Sequence, residues 1–541
     1  MSIAINLEIF KNVLIGIAEE MGANLQRSAY SPNIKERRDF SCALFDREGR
    51  LAAQAAHIPV HLGSMPLLIR EIIDSYDISP GDMIIANDPF SGGTHLPDIT
   101  LVEPIYDRKR LWGFAASRAH HSDVGGMSAG SMPDSREIFQ EGIIIPPMFL
   151  KKKFRLNREL MALITLNTRT PRERMGDLYA QIASLDTAKN RVRHLVRKYG
   201  FEESLDMVGK LINYSEKLTR IEIQKLADGN YHESDVMEDD HTGDLVAIRA
   251  MIIINGDEIL VDFAGTSSQR RVSFNAPLPV TMAAVYYSFR CLLGDHIPPN
   301  EGCFRPIQVR APEGCLVNAM KPCAVSAGNV ETSQRIVDII FKALAPVLPD
   351  RIPAASCGSM NNVAIGGGNF AYYETIAGGM GARPGKDGIS AVHTHMTNTR
   401  NTPVEAIEVN YPFIISRYEI REGSGGDGDF RGGDGIIREY LFRSPAEVSI
   451  ISERRKVPPY GLSGGKPGRV GENYHFNSRE GKEKKLPGKI TLEVGTGDRI
   501  RVETPGGGGY GGSEEESKKK KTGDRGFMNL LGDAISILKR D

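Results

Sequence analysis

Between residues 87 and 123 the chain gathers side chains suited to holding a cation. They read Asn87-Asp88-Pro89-Phe90-Ser91-Gly92-Gly93-Thr94-His95-Leu96-Pro97-Asp98, then His120-His121-Ser122-Asp123-Val124-Gly125-Gly126. Pro97 disfavours helix between His95 and Asp98, so the spacing predicts a fixed turn that aims both side chains at one point. His120 ends the next predicted strand, and a hairpin returns it to that turn. Adjacent strand residues face opposite sides, so only one of His120 and His121 ligates directly. A single loop histidine ordinarily makes only hydrogen bonds. Two imidazoles with a carboxylate form a donor set for manganese, zinc or non-haem iron, with positions left for water or substrate.

Other motifs carry less. His57 and His61 are separated by Pro59, which removes the helical face a metal-binding pair four apart requires, so as a pair they read as structural. Gly126 to Gly130 and Gly461 to Gly465 match a nucleophile-elbow pattern without the strand-to-helix context it needs. No Gly-Lys pair has the remaining residues of a phosphate-binding P-loop. The glycine clusters at 366–368, 425–428, 432–435 and 506–509 read as tight turns before anion cradles.

The elements around these residues follow from periodicity. Leu7, Phe10, Leu14, Ile17, Met21 and Leu25 mark a first helix with a buried face. Ser64 as N-cap and Pro66 announce a second, through Leu67, Leu68, Ile72 and Ile73. Asp98–Tyr106 and Trp112–Arg118 read as strands around the turn Asp107–Arg110. Helical scaffold is expected from Arg158 to about Asp228, and Asn255-Gly256 signals a hairpin within 251–263. Helices return at Thr281–Leu293 and Val330–Leu344, with short strands and glycine turns from 405 to 503.

The expected fold class is mixed α/β (α+β) and multidomain, a helical N-terminal scaffold with β-rich central and C-terminal parts. The soft boundaries give a metal-site domain at 1–240, a central α/β domain at 241–400 and a glycine-rich β domain at 401–512. A charged linker and amphipathic docking helix are expected at 513–541, with Phe527, Leu530, Leu531, Ala534, Ile535 and Leu538 on one face. With 67 basic against 68 acidic residues, no basic excess argues for nucleic acid. No apolar run approaches the roughly 20 residues of a membrane span. The N-terminus carries no export signal and the six cysteines form no CxxC pair, so a cytoplasmic protein with reduced thiols is expected.

Four segments together resemble the hydantoinase B / oxoprolinase family, to which the acetone carboxylase alpha subunit is related. They are Asn87–Asp98, Ala119–Gly126, Val261-Asp262-Phe263-Ala264-Gly265-Thr266, and Thr504–Gly511. The likeness runs from about residue 5 to 512. It implies a manganese site on His95, Asp98 and His120, with zinc or iron as alternatives. His57, His61 and Asp88 become candidates for substrate contacts, and His121 and Asp123 for proton transfer. It also implies a partner subunit of the hydantoinase A type that binds ATP and phosphorylates the substrate, which accounts for the missing P-loop. The expected activity is ATP-dependent opening of a cyclic amide by metal-activated water in a hetero-oligomer. Carboxylation, a non-catalytic scaffold and an iron oxygenase are the rival readings.

Overall fold

The computed structural model describes residues 3–55 and 58–512; His57 and the expected docking helix lie outside the described residues. The hairpin expected around residues 107–110 is the centre of a seven-stranded antiparallel sheet. Its strands are β1 (Phe40–Asp46), β2 (Leu51–Ala55), β3 (Met83–Ala86), β4 (Asp98–Asp107), β5 (Arg110–His120), β6 (Met148–Lys152) and β7 (Arg155–Leu156). They lie in the order β2-β1-β5-β4-β3-β6-β7. The β4–β5 register sets Asp98 opposite His120, which is the pairing the metal site needs.

Alternation along β1 sends Phe40, Cys42 and Leu44 to one face of this sheet and Ala43 and Phe45 to the other, and each face buries its own core. On the first face lie helix Ile3–Ser28, through Phe10, Leu14, Ile17, Met21 and Leu25, and helix Pro171–Tyr199, through Leu178, Leu185 and Val192. Each such large side chain contributes about 1.5–3 kcal/mol on burial. The other face takes helix Met65–Ser75 through Leu68, Ile69 and Ile72. Ser64 precedes that helix but does not cap it. Its hydroxyl donates to the His61 carbonyl and accepts from Arg118 Nη1 at 2.6 Å, a buried cation being the stronger partner.

A second sheet holds β8 (Gly229–Glu238), β9 (Leu245–Asn255), β10 (Glu258–Asp262) and β11 (Ile307–Arg310), with β10 and β11 parallel. Its Asn255-Gly256 turn has Gly256 at φ 60°, where a side chain would be strained. Helices Leu278–Leu293 and Ser333–Leu344 share the same core, the latter entered through a π-helical turn at Gly328–Thr332.

The last two sheets interleave. β12 (Asn362–Gly367), β13 (Phe370–Thr375), β16 (Ala446–Ile451) and β19 (Lys489–Val494) form one. β14 (Phe413–Arg421), β15 (Gly435–Phe442), β17 (Glu472–Asn477), β18 (Lys482–Leu486) and β20 (Arg499–Glu503) form the other. Strands from both sides of residue 400 therefore share a sheet. Beside them Gly506–Gly509 runs as a backbone layer. A Cβ on these four would meet the carbonyls of Ser424, Met380, Tyr460 and Asp427 at 2.0, 2.1, 2.0 and 2.2 Å. Close approach of main chains thus explains this glycine cluster. The whole is a multidomain mixed α/β fold, and no helix among the described residues is long and apolar enough to cross a membrane.

Candidate metal centre

The turn before β4 and the end of β5 bring His95, Asp98 and His120 together, all buried. Asp98 N–H donates to the His95 carbonyl at 3.1 Å and His121 N–H to the Pro97 carbonyl at 2.9 Å, fixing the turn against the strand end. The three donor atoms form a nearly equilateral triangle. His95 Nε2 lies 3.2 Å from His120 Nδ1 and 3.3 Å from Asp98 Oδ1, and His120 Nδ1 lies 3.4 Å from that oxygen. A cation bonded at about 2.0–2.2 Å spans ligand edges of about 3–3.6 Å in octahedral or tetrahedral geometry, which this triangle matches. Asp98 Oδ1 is buried and has no hydrogen-bond partner among the described residues, so the residues fit a metal ion.

The surroundings orient the donors as a metal site requires. His95 Nδ1 faces the Ser326 carbonyl at 3.4 Å, leaving Nε2 as the ligand atom, and the Asn329 amide lies 3.2 Å from Nε2. Asp98 Oδ2 accepts from the Thr94 hydroxyl and lies 3.2 Å from His61 Nε2, while His61 Nδ1 lies 3.0 Å from Ser41 Oγ. The His120 ring stacks on Tyr373 with centroids 4.8 Å apart. Burial opposes ionisation of Asp98, but the neighbouring His95 and His61 hold its carboxyl well below the usual range. Burial likewise disfavours charge on His95, yet Asp98 raises its pKa overall, whereas for His120 burial prevails and lowers it.

Asp39, at the mouth of β1, belongs to no motif. Its Oδ2 lies 4.0 Å from His120 Nδ1 and 3.9 Å from Arg37, and its carbonyl accepts from His120 N–H at 2.9 Å. Sheet order alone puts it there, because β1 lies between its sequence neighbour β2 and the distant β5.

The remaining predicted site residues are placed elsewhere. His121 faces away from the triangle, as alternation dictates, and its Nε2 lies 3.0 Å from Gln181 Oε1 on helix Pro171–Tyr199. Burial and the nearby Arg174 push its pKa down to about 4. Asp123 clamps Arg169, taking its backbone N–H at 2.7 Å and Nη1 at 3.0 Å. Asp88 caps the short turn Pro89–Ser91 through Phe90 N–H and pairs with Lys321 at 3.0 Å. His121 and Asp123, expected to transfer protons, and Asp88, expected to contact substrate, are thus each engaged by residues outside the triangle. His61 does join the site, but against Asp98.

The chain is 47% identical to an uncharacterized protein of Methanocaldococcus jannaschii, over 93% of this chain and 90% of that one. It is 39% identical to 5-oxoprolinase 1 of Arabidopsis thaliana, again over 93% of this chain, but spans only 41% of that protein's length. A Pseudomonas protein described as one of the subunits of a D-/L-hydantoinase is 33% identical over 93% of this chain and 89% of its own. Among solved structures, the ATP-dependent caprolactamase of Pseudomonas jessenii superposes with TM-score 0.88 at 25% identity, covering 94% of this chain and 91% of that one. Acetone carboxylase superposes with TM-score 0.86 at 18% identity, over 93% of this chain and 76% of that one, a likeness of fold. With residues 4–513 matching its defining pattern, the chain belongs to the hydantoinase B/oxoprolinase family.

Proposed function

We propose that this chain is the metal-bearing subunit of an ATP-dependent enzyme that opens cyclic amides. The buried triangle of His95 Nε2, Asp98 Oδ1 and His120 Nδ1 carries the reading. The cyclic amides in the names of the relatives support the substrate class, and a relative described as one subunit of a hydantoinase supports the division of labour. A hydantoinase A-type partner would bind ATP and phosphorylate the ring carbonyl, a step for which this sequence has no P-loop. The complex would work in the cytoplasm, where ATP is supplied.

His95, Asp98 and His120 would hold a divalent transition ion, manganese first, with zinc or iron as alternatives. When bound, such an ion supplies a lowered pKa for water and polarisation of the oxygen on the attacked carbon. His61, Thr94 and Ser41 keep the Asp98 carboxylate in one orientation. Asp39 accepts the proton of the attacking water, since its carboxylate flanks the triangle without a close ion pair. Burial of the centre keeps bulk water from the activated carbon.

The test is turnover by the chain co-purified with its A-type partner. Substrates are 5-oxoproline, hydantoin, N-methylhydantoin and caprolactam, each with and without bicarbonate. Ring-opened product that requires ATP and disappears in Asp98→Asn is expected. Carboxylated product, or ATP hydrolysis with no ring opening on any of the four, overturns the reading.

A further inference from the structure

The π-helical turn Gly328–Thr332 that leads into helix Ser333–Leu344 is buried along its whole length. A turn with an extra residue is uncommon and recurs at functional sites. This one is held on both sides. Ala327 N–H donates to the Ser273 carbonyl at 2.9 Å, a Cβ on Gly328 would meet the Asn275 carbonyl at 2.0 Å, and the Asn329 carbonyl accepts from the Ser333 hydroxyl at 2.7 Å. Glu331 ties the turn to the far side of the metal triangle. It accepts from Asn362 Nδ2 at 2.7 Å, Asn362 Oδ1 accepts from the Tyr373 hydroxyl at 2.7 Å, and Tyr373 stacks on His120.

From this turn Asn329 reaches His95. Asn329 is 3% exposed, its Nδ2 lies 3.2 Å from His95 Nε2, and its Oδ1 is buried with no hydrogen-bond partner among the described residues. His95 Nδ1 faces the Ser326 carbonyl and so carries the ring's proton, which leaves one lone pair, on Nε2. The amide N–H and a metal ion claim that same lone pair. Once an ion takes it, the N–H has lost its acceptor while Oδ1 still has no donor, a costly arrangement for a buried amide. A half-turn about the last side-chain bond exchanges the two ends of the amide with almost no change of shape. It puts Oδ1 where Nδ2 stands, 3.2 Å from His95 Nε2, matching the edges of 3.2, 3.3 and 3.4 Å within the triangle.

We propose that Asn329 is a fourth protein ligand, through Oδ1, to the ion held by His95, Asp98 and His120. The inference rests on the metal centre proposed above and narrows the ion it takes. Four protein donors would close a tetrahedral zinc site, whereas an octahedral ion keeps two positions for water and substrate. The amide carbonyl is also a hard, neutral oxygen donor, which suits manganese better than zinc.

Manganese(II) and zinc(II), titrated into the metal-stripped full chain against a chelating dye without partner, ATP or ring, test the ligand. Asn329→Ala is expected to weaken manganese binding about tenfold or more, and to weaken it more than zinc binding. Asn329→Asp, which returns an oxygen to that position but no N–H, should hold manganese at least as tightly as the wild type. The visible bands of the cobalt(II)-loaded chain, which report its ligands, should shift in Asn329→Ala. An Asn329 that only donates to His95 competes with the ion, so its removal would leave manganese affinity unchanged or raise it. Either result, an equal loss for the two ions, or unshifted cobalt bands overturns the proposal. Should circular dichroism show Asn329→Ala to be misfolded, Asn329→Asp decides, and manganese affinity below the wild type overturns the proposal. A wild-type chain that binds no ion removes the metal centre itself, whereas binding indifferent to Asn329 removes only the fourth ligand and leaves the proposed function standing.

Discussion

Replacing His61 by leucine tests the metal centre without touching a ligand. The imidazole lies 3.2 Å from Asp98 Oδ2 through Nε2 and 3.0 Å from Ser41 Oγ through Nδ1, and all three residues are buried. A hydrogen bond to a charged buried acceptor contributes about 1.5–3 kcal/mol, and at 1.4 kcal/mol per decade its loss weakens a carboxylate's hold on a metal about 10–100-fold. The Thr94 hydroxyl still serves Oδ2, which sets the result nearer the lower end. Leucine keeps most of the volume, so the cavity contribution stays small. Competition for manganese or zinc against a chelating dye measures the affinity, with elemental analysis and circular dichroism alongside. His121→Leu is the matched control, because His121 points at Gln181 on the other face. Wild-type affinity in His61→Leu, or equal loss in both variants, would refute the reasoning.

Glu374 accepts from Arg438 Nε at 2.7 Å and Nη2 at 3.0 Å, from Tyr372 and Asn401 at 2.9 Å, and from the Tyr440 hydroxyl. Glu374→Gln leaves the buried Arg438 charge uncompensated and should cost about 3–5 kcal/mol in denaturant unfolding. Burial opposes its ionisation, but Arg438 and the bonds to it hold the Glu374 carboxyl below the ordinary value. Its contribution is thus present above about pH 4.3 and fades as pH falls through the lower folded value, a slope that melts of Glu374→Gln should lack. Asp123→Ala should lower stability by about 1–3 kcal/mol through loss of the Arg169 clamp while full metal content persists on elemental analysis. The isolated chain should show no ATP binding by calorimetry, and micromolar binding would remove the reason for invoking a partner.

What the sequence discloses of the site is what a short stretch of chain can encode. A proline-fixed turn, a hairpin and the two-residue period of a strand suffice to converge His95, Asp98 and His120 and to separate His121 from them. Nothing local reveals that β1 lies beside β5, so no sequence pattern marks Asp39 or places His61 against Asp98. Ser326, Asn329 and Tyr373 reach the same centre from more than 200 residues away, and their positions follow from tertiary packing. The first helix and the Asn255-Gly256 hairpin are legible because each has a periodic or steric signature of its own. Ser64 has the residue type of a cap, but the buried Arg118 claims its hydroxyl.

The glycine layer at 506–509 bears on the order in which the molecule can be finished as it leaves the ribosome. Gly507, Gly508 and Gly509 donate to the carbonyls of Gly433, Ala355 and Lys466, and their own carbonyls accept from Gly426, Ala382 and Leu462. Six peptide groups from segments that emerge earlier therefore wait for one short late stretch. Until it arrives those N–H and C=O groups can be satisfied only by water, and the strands they flank have no wall to close against. Translation at about 5–20 residues per second lets the β4–β5 hairpin and its metal ligands assemble many seconds before this closing layer is made. A chain stalled upstream of residue 505 would thus already carry His95, Asp98 and His120 in sequence, yet expose the unsealed C-terminal sheets to proteolysis and to pairing with other chains.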